Sequence, residues 1–372
     1  GVQTCALPIS QGFNLSAGEH WSRAAVCYHF AKFVFVEDVA QMKAAHMKAV
    51  ACRARALPFE RPPGERVEIP FEGTSFKGLL RKPAGIAKAP VVIMCMGLDS
   101  AKEETAAYEA PFLARGMAVL VFDGPGQGES EYELGIRGDY EAAVRAVVDF
   151  AEQREDLDRD RIGLWGVSLG GYYAPRAAAF EKRIRACISL SGPFDWSDNW
   201  ASLNELSRET FRVRAHAKTL EQARRVGQTL TLKGVAQNIT CPLFIVAGKQ
   251  DRIVPWQDGE KLARAAKGPS KGRRRAAPGG LVGERSVGRE AADGRVVHGR
   301  RRVRGADIDN QGRASRSFVR DRVRQRDQAH ESQRKYPGGQ RFIVGDVRFF
   351  LHGGTPRKAC SPGGNRARLR GT

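Results

Sequence analysis

Residues 162–180 read IGLWGVSLGGYYAPRAAAF, and the reading of this stretch decides the fold. Ile162–Trp165 is a short apolar run, which predicts a buried strand. Leu169–Phe180 reads as a helix, and Gly166-Val167-Ser168-Leu169-Gly170 lies between the two. A Gly-x-Ser-x-Gly pattern alone is weak in a chain with 41 glycines. Placed between a strand and a helix, it predicts a nucleophile elbow, a turn too sharp for large neighbours of the serine. The helix N-terminus adds positive potential and free N–H groups, so the Leu169 N–H is a candidate oxyanion donor. The plain alternative is a glycine-lined turn without chemistry.

Working outward, the same alternation recurs. Arg66–Phe71 and Lys77–Arg81, joined through Gly73 and Thr74, predict an antiparallel hairpin. Pro90–Met96 and Met117–Phe122 are continuous apolar runs, as in strands buried on both faces. Helices are expected over Glu103–Arg115, Asp139–Arg154 and Trp256–Ala266, and strands over Ala186–Leu190 and Leu243–Ala247. Strands alternating with helices behind a leading hairpin imply an α/β fold, a mostly parallel sheet with helices on both faces. Residues 19–57 show helical periodicity, with Asp38 a cap for a second helix, and the prolines from Pro58 onward end the unit. Residues 194–238 look mostly helical and interrupt the alternation.

The remaining chemistry is expected at the carboxyl ends of the strands. Gly97-Leu98-Asp99-Ser100 follows Pro90–Met96, and Leu98 N–H is the candidate second oxyanion donor. Asp99 has two readings: a polar group for substrate, with a pKa raised by burial, or a helix cap. The acid that orients a base is expected after a late strand. Asp251, beyond Leu243–Ala247 and Gly248, fits better than its rival Asp195. The base is the difficulty. A histidine is expected some tens of residues beyond the acid, and residues 271–297 hold none. His298 is the first available, in a Val-Val-His-Gly-Arg-Arg-Arg context without strand or helix character, and reads as incidental. Gly124-Pro-Gly-Gln-Gly128 departs from the Gly-x-Gly-x-x-Gly dinucleotide spacing and reads as a structural turn.

Charge divides the 372 residues in two. The chain carries 61 basic and 41 acidic side chains, a net +20, which would ordinarily suggest a polyanion partner. Residues 1–270 hold 35 basic and 32 acidic groups, whereas residues 271–372 hold 26 and 9. The last 102 residues therefore carry +17, with 23 Arg, 3 Lys and 17 Gly. Such Arg- and Gly-rich sequence without periodicity is read first as a GC-rich gene out of frame, and second as an RNA-binding tail. Gly1–Ile9 resembles a translated sequencing adaptor. The seven cysteines are odd in number and include no Cys-x-x-Cys, so a reducing cytoplasm is expected, without disulfides or a zinc site. No apolar run is long enough for a membrane span, and no signal peptide is visible.

Five segments together resemble a known family: Gly97-Leu-Asp-Ser-Ala-Lys-Glu-Glu104, Phe122-Asp-Gly-Pro-Gly-Gln-Gly-Glu129, Gly138-Asp-Tyr-Glu141, Gly166-Val-Ser-Leu-Gly-Gly171 and Ala186-Cys-Ile-Ser189. From about His20 to Lys267 the chain is similar to the α/β-hydrolase family of 2,6-dihydropseudooxynicotine hydrolase and the fungal pigment-pathway polyketide hydrolases. The resemblance implies hydrolysis of a carbonyl-adjacent C–C or ester bond in a small organic substrate, with no metal or organic cofactor. It carries the nucleophile to Ser168, the acid to Asp251 and a functional acidic position to Asp99. It also implies that the helical N-terminal region forms a cap and homodimer contacts. The family histidine belongs roughly thirty residues past the acid, where this sequence has none.

The expected organisation is an artefactual or disordered terminus over 1–18, a helical cap segment over 19–60, a hydrolase domain over 61–268 with a lid insertion at 194–238, and a basic tail of non-native sequence over 269–372. The chain as it stands is expected to turn over weakly or not at all. Two other classes remain: a nucleic-acid-binding protein acting through 271–372, which the charge split disfavours, and a non-catalytic hydrolase-like scaffold.

Overall fold

A computed structural model describes residues 12–33, 35–275 and 285–286; for 271, 273–275, 285 and 286 it describes the backbone alone. Two helices, α1 (Asn14–Lys32) and α2 (Val39–Ala56), open the described chain. Asp38 caps α2 by accepting from the Gln41 N–H at 2.9 Å, as expected for an aspartate before an apolar-periodic run. Helix α1 starts at Asn14, five residues earlier than the cap boundary expected from sequence, and Ala17 in its first turn is buried. The sequence signal was hidden by the unpatterned residues before it.

Strands β1 (Gly64–Phe71) and β2 (Thr74–Arg81) form the expected hairpin, turning on Glu72 and Gly73 at φ 43° and 81°. The sheet then runs through β3 (Ala89–Cys95), β4 (Ala118–Phe122), β5 (Leu157–Val167), β6 (Ile184–Leu190) and β7 (Leu243–Gly248). Helices α3 (Ala106–Leu113), α4 (Glu141–Glu152) and α5 (Gly170–Phe180) connect them. Every residue of β3 and β4 is buried, which accounts for their unbroken apolar sequences.

The described sheet has the order β1-β2-β4-β3-β5-β6-β7-β8-β9. From β3 the chain first goes to β4 on one side and then to β5 on the other, both parallel to β3. The carboxyl end of β3 is therefore a topological switch point, where an open α/β sheet leaves a crevice. Strand β8 (Ser270–Arg275) pairs parallel with β7, and β9 (Arg285–Ser286) antiparallel with β8. Described backbone pairing thus continues past 268, the expected end of the hydrolase domain, through 275 and again at 285–286. Backbone hydrogen bonding does not require the side-chain alternation by which a sequence reveals a strand.

Residues 194–238, expected to be mostly helical, lie between β6 and β7 as a largely helical insertion. Helices α6 (Trp196–Asn199), α7 (Glu205–Arg214) and α8 (Leu220–Thr229) lie within it. The insertion closes at its base through Trp196 N–H to Leu230 O at 2.9 Å and Leu232 N–H to Phe194 O at 2.8 Å. Helix α9 (Trp256–Ala265) follows β7. Among the described residues, no helix is long and apolar enough to cross a membrane.

Buried ion pairs tie the N-terminal helices to the domain. Glu109 on α3 accepts from Arg81 of β2 at 2.8 Å and from Arg53 of α2 at 3.3 Å. All three side chains are almost fully buried. Removing the shared carboxylate would leave Glu60, which pairs with Arg53 and lies 3.2 Å from Arg81, as the counter-ion for both guanidinium groups, so the cost falls below the roughly 3–5 kcal/mol of a fully broken buried pair. Glu109→Ala should therefore lower the urea midpoint by the equivalent of that loss. An unchanged midpoint would show that Glu60 alone satisfies both arginines.

Candidate active site

Ser168 occupies the turn between β5 and α5 at φ 55°, left-handed backbone that a non-glycine residue adopts only when its surroundings enforce it. The enforcement is visible in the flanking glycines. A Cβ on Gly166 would lie 1.9 Å from the Gly170 carbonyl oxygen. A Cβ on Gly170 would lie 2.0 Å from the Cys95 carbonyl oxygen at the end of β3. Gly171 packs as tightly on Gly192, where a Cβ would come within 2.6 Å of its Cα. The Ser168 N–H donates to Leu190 O at 2.8 Å, and Ser168 O accepts from the Gly171 N–H at 2.7 Å. The serine is thus fixed at the edge where β3, β5 and β6 end, with its side chain only partly buried.

The loop after β3 meets it there. A Cβ on Gly97 would sit 3.1 Å from Ser168 Cβ and 3.5 Å from Ser168 Oγ. Leu98 and Leu169, the candidate donors, therefore flank the serine in the chain and across the switch point. Among the described residues, neither N–H donates to a protein backbone acceptor.

Asp251 lies at the same edge. Val167 pairs in register with Leu190, and Leu190 with Val246, so β5 and β7 end level with one strand between them. Strand spacing puts those ends roughly 10 Å apart. Asp251 Oδ1 accepts the Ile253 and Val254 N–H groups at 2.9 and 3.0 Å, which holds the carboxylate in the loop. Asp195 is committed elsewhere. It caps α6 through the Ser197 N–H and accepts from Thr231 Oγ1 at 2.7 Å, with Lys233 Nζ at 3.0 Å. It is a structural brace at the base of the insertion. His298, and the whole of 287–372, lie outside the described residues.

Asp99, in the loop after β3, has a buried Oδ1 with no hydrogen-bond partner among the described residues. Its nearest cation is Arg214 of α7, with Nη1 at 3.8 Å, and the side chain is 29% exposed. Burial holds the carboxyl above its ordinary value, with Arg214 and Lys32 opposing the shift. Arg214 is a residue that sequence reading passed over. Its guanidinium donates to the carbonyls of Leu98 and Phe33, and its Nε lies 3.6 Å from Glu131. Glu131 also accepts from Lys32 Nζ at 3.2 Å. Burial works against the Glu131 charge, but Arg214 and Lys32 more than offset it and keep the carboxyl low. No local pattern marks this cluster, because its members come from α1, α7 and two loops.

His46, Glu103 and Asp123 bring ligand atoms within 4.8 Å of one another, a grouping that could hold a metal ion. The residues do not suit one. Lys102 Nζ sits among them, 2.6 Å from Asp123, 2.7 Å from Glu103 and 2.6 Å from Glu129. Burial disfavours the ammonium, yet these three carboxylates hold it charged and above its usual value. The lysine therefore supplies the positive charge that a metal would have brought.

A serine at a strand–helix elbow, on a mixed sheet with a helical insertion, defines an α/β-hydrolase fold. Residues 104–276 match the model of the prolyl oligopeptidase family. The chain is 39% identical over 246 residues to 2,6-dihydropseudooxynicotine hydrolase of Paenarthrobacter nicotinovorans, covering 66% of each protein. It is 35% identical over 223 residues to 20-hydroxy-prefusarin hydrolase FUS2 of Gibberella moniliformis, covering 48% of this chain and 53% of that one. The crystal structure of 2,6-dihydroxy-pseudo-oxynicotine hydrolase superposes with a TM-score of 0.69 at 35% identity, over 74% of this chain and 78% of that chain. The chain belongs to the α/β-hydrolase family that includes these enzymes. It spans just under two thirds of the length of 2,6-dihydropseudooxynicotine hydrolase and about half that of FUS2.

The raised Asp99 gives a pH test. Its neutral form is favoured in the fold, so its contribution to stability is present below about pH 3.9 and lost as pH rises through the folded value. Asp99→Asn should unfold at a higher urea concentration than the parent at neutral pH, and the gap should close as pH falls towards about 4. A variant less stable at neutral pH would mean that Arg214 holds Asp99 as a paired anion.

Proposed function

We propose that this chain is a serine hydrolase acting on a carbonyl-adjacent C–C or ester bond of a small organic substrate. Ser168 Oγ attacks the carbonyl carbon, and the Leu98 and Leu169 N–H groups receive the oxygen as it becomes an oxyanion. Collapse releases the alcohol or carbon leaving group, which takes up a proton, and water then hydrolyses the acyl-enzyme. Asp251 orients the histidine base, whose place in the chain lies beyond the described residues. The observation that carries this reading is the strained Ser168 turn packed against Gly97, with both candidate donors beside it. The 39% identical protein and the solved structure at 35% identity, both named as hydrolases, support the reaction class.

Asp99 serves in this reading as a polar contact for substrate. The odd cysteine count and the lack of a Cys-x-x-Cys in the sequence support a reducing cytoplasm. Exposed Phe30 and Met47 on the two N-terminal helices support a homodimer formed through that region.

The decisive experiment starts from the gene. Read in the other two frames past codon 268, it should encode a histidine roughly thirty residues after Asp251. The protein restored in that frame should hydrolyse aryl esters, and Ser168→Ala should lower its kcat/KM by about 10³-fold or more. The chain as it stands should turn over weakly or not at all. No histidine in any frame, or turnover that survives Ser168→Ala, would overturn the reading. Ligand binding without Ser168-dependent turnover would favour a non-catalytic scaffold.

A further inference from the structure

The Gly-Pro-Gly-Gln-Gly turn after β4 contains a buried amide whose partners reach the serine loop. Gln127 is almost fully buried. Its Nε2 donates to Met96 O at 2.6 Å and to Gly97 O at 3.1 Å. Its Oε1 accepts from the Tyr140 hydroxyl at 2.6 Å. An amide can be flipped without changing its shape, so its orientation depends on such partners. The two carbonyls set it here: they only accept, so Nε2 faces them, and Oε1 is left to accept from the Tyr140 hydroxyl. Tyr140 is itself clamped, stacked on Tyr173 of α5 with ring centroids 3.7 Å apart.

The consequence follows from peptide geometry. In a planar trans peptide the C=O and the following N–H point in opposite directions. Gln127 holds the Gly97 carbonyl towards itself, so the Leu98 N–H of the same peptide is directed away from Gln127. Gly97 lies against Ser168, and the Leu98 N–H has no protein backbone acceptor among the described residues. The turn's glycines suit this arrangement. A Cβ on Gly124 would lie 2.2 Å from Tyr140 OH, and one on Gly128 would lie 2.0 Å from the Asp123 carboxylate.

We propose that Gln127 is a positioning residue for the oxyanion site: backed by Tyr140, it fixes the Gly97–Leu98 peptide so that the Leu98 N–H faces the reacting oxygen at Ser168. The assignment rests on the serine-hydrolase reading for its use, but not for its geometry. Gln127 touches no substrate; it acts through Leu98. The turn is therefore part of the catalytic scaffold and more than a bend between β4 and α4.

Two measurements on the full chain test this separately. The first is the crystal structure of Gln127→Met, which keeps the length of the side chain and loses the donor. The Gly97–Leu98 peptide should rotate while β3 and the Ser168 turn stay in place. An unrotated peptide would overturn the proposal. The second is the affinity of phenylboronic acid, which bonds through boron to a serine Oγ and places a boron-bound oxygen in the oxyanion site. Gln127→Met should weaken binding roughly 10- to 100-fold, and Tyr140→Phe by a smaller factor in the same direction. Affinity for benzamide, which forms no tetrahedral adduct, should not change. Equal losses for both ligands would mean a general packing role and would overturn the proposal. Boronate binding that ignores Ser168→Ala would count against the serine reading alone, and the peptide's orientation would still decide the role of Gln127. Should Gln127→Met fail to fold, Tyr140→Phe carries both tests.

Discussion

The structure depends on one contact, the backbone of α5 laid directly against the backbone at the end of β3. Gly170 meets the Cys95 carbonyl with no room for a methyl group, and Gly166 meets Gly170 in the same way. This contact brings the first helical turn after Ser168 to the switch point of the sheet, where β4 and β5 leave β3 on opposite sides. The loop from Gly97 then has nowhere to go except across the serine. The left-handed backbone of Ser168 is the strain that results, and strand pairing on both sides of β5 holds it in place.

Around that contact lies a second layer made of charge. Lys102 sits among Asp123, Glu103 and Glu129, Arg214 between the Leu98 loop and Glu131, and Glu109 between two arginines. Each group joins parts of the chain that are far apart in sequence. Asp123 illustrates the economy of the arrangement. Its carboxylate accepts the Lys102 and Glu129 N–H groups as well as the Lys102 ammonium, so one side chain fixes both the loop after β3 and the turn after β4.

What could be read in the sequence follows from whether the signal was local. The hairpin, the buried strands and the serine turn announce themselves by alternation, by unbroken apolar runs and by glycine spacing. Its place after a late strand favours Asp251 over Asp195, and Asp195 is occupied by α6, Thr231 and Lys233. Arg214 and Lys32 gave no signal, because an arginine at the end of an amphipathic helix reads as a solvated charge until the elements facing it are known. Gln127 was passed over for a different reason. Its glycine neighbours account for a turn by themselves, and nothing local indicates that the amide points at a distant peptide. The strand at 270–275 was missed because its side chains carry no periodicity, while its backbone pairs nonetheless.

The guanidinium of Arg214 has one more implication. It draws together the carbonyl that ends α1, the Leu98 carbonyl in the loop after β3 and a carboxylate from the turn after β4, all from an inserted helix. Detaching any one of these segments would strand buried charge or an unpaired carbonyl in the others. Loosening the inserted helices, the N-terminal helices or the turn alone therefore carries that cost, which couples the opening of each to the others.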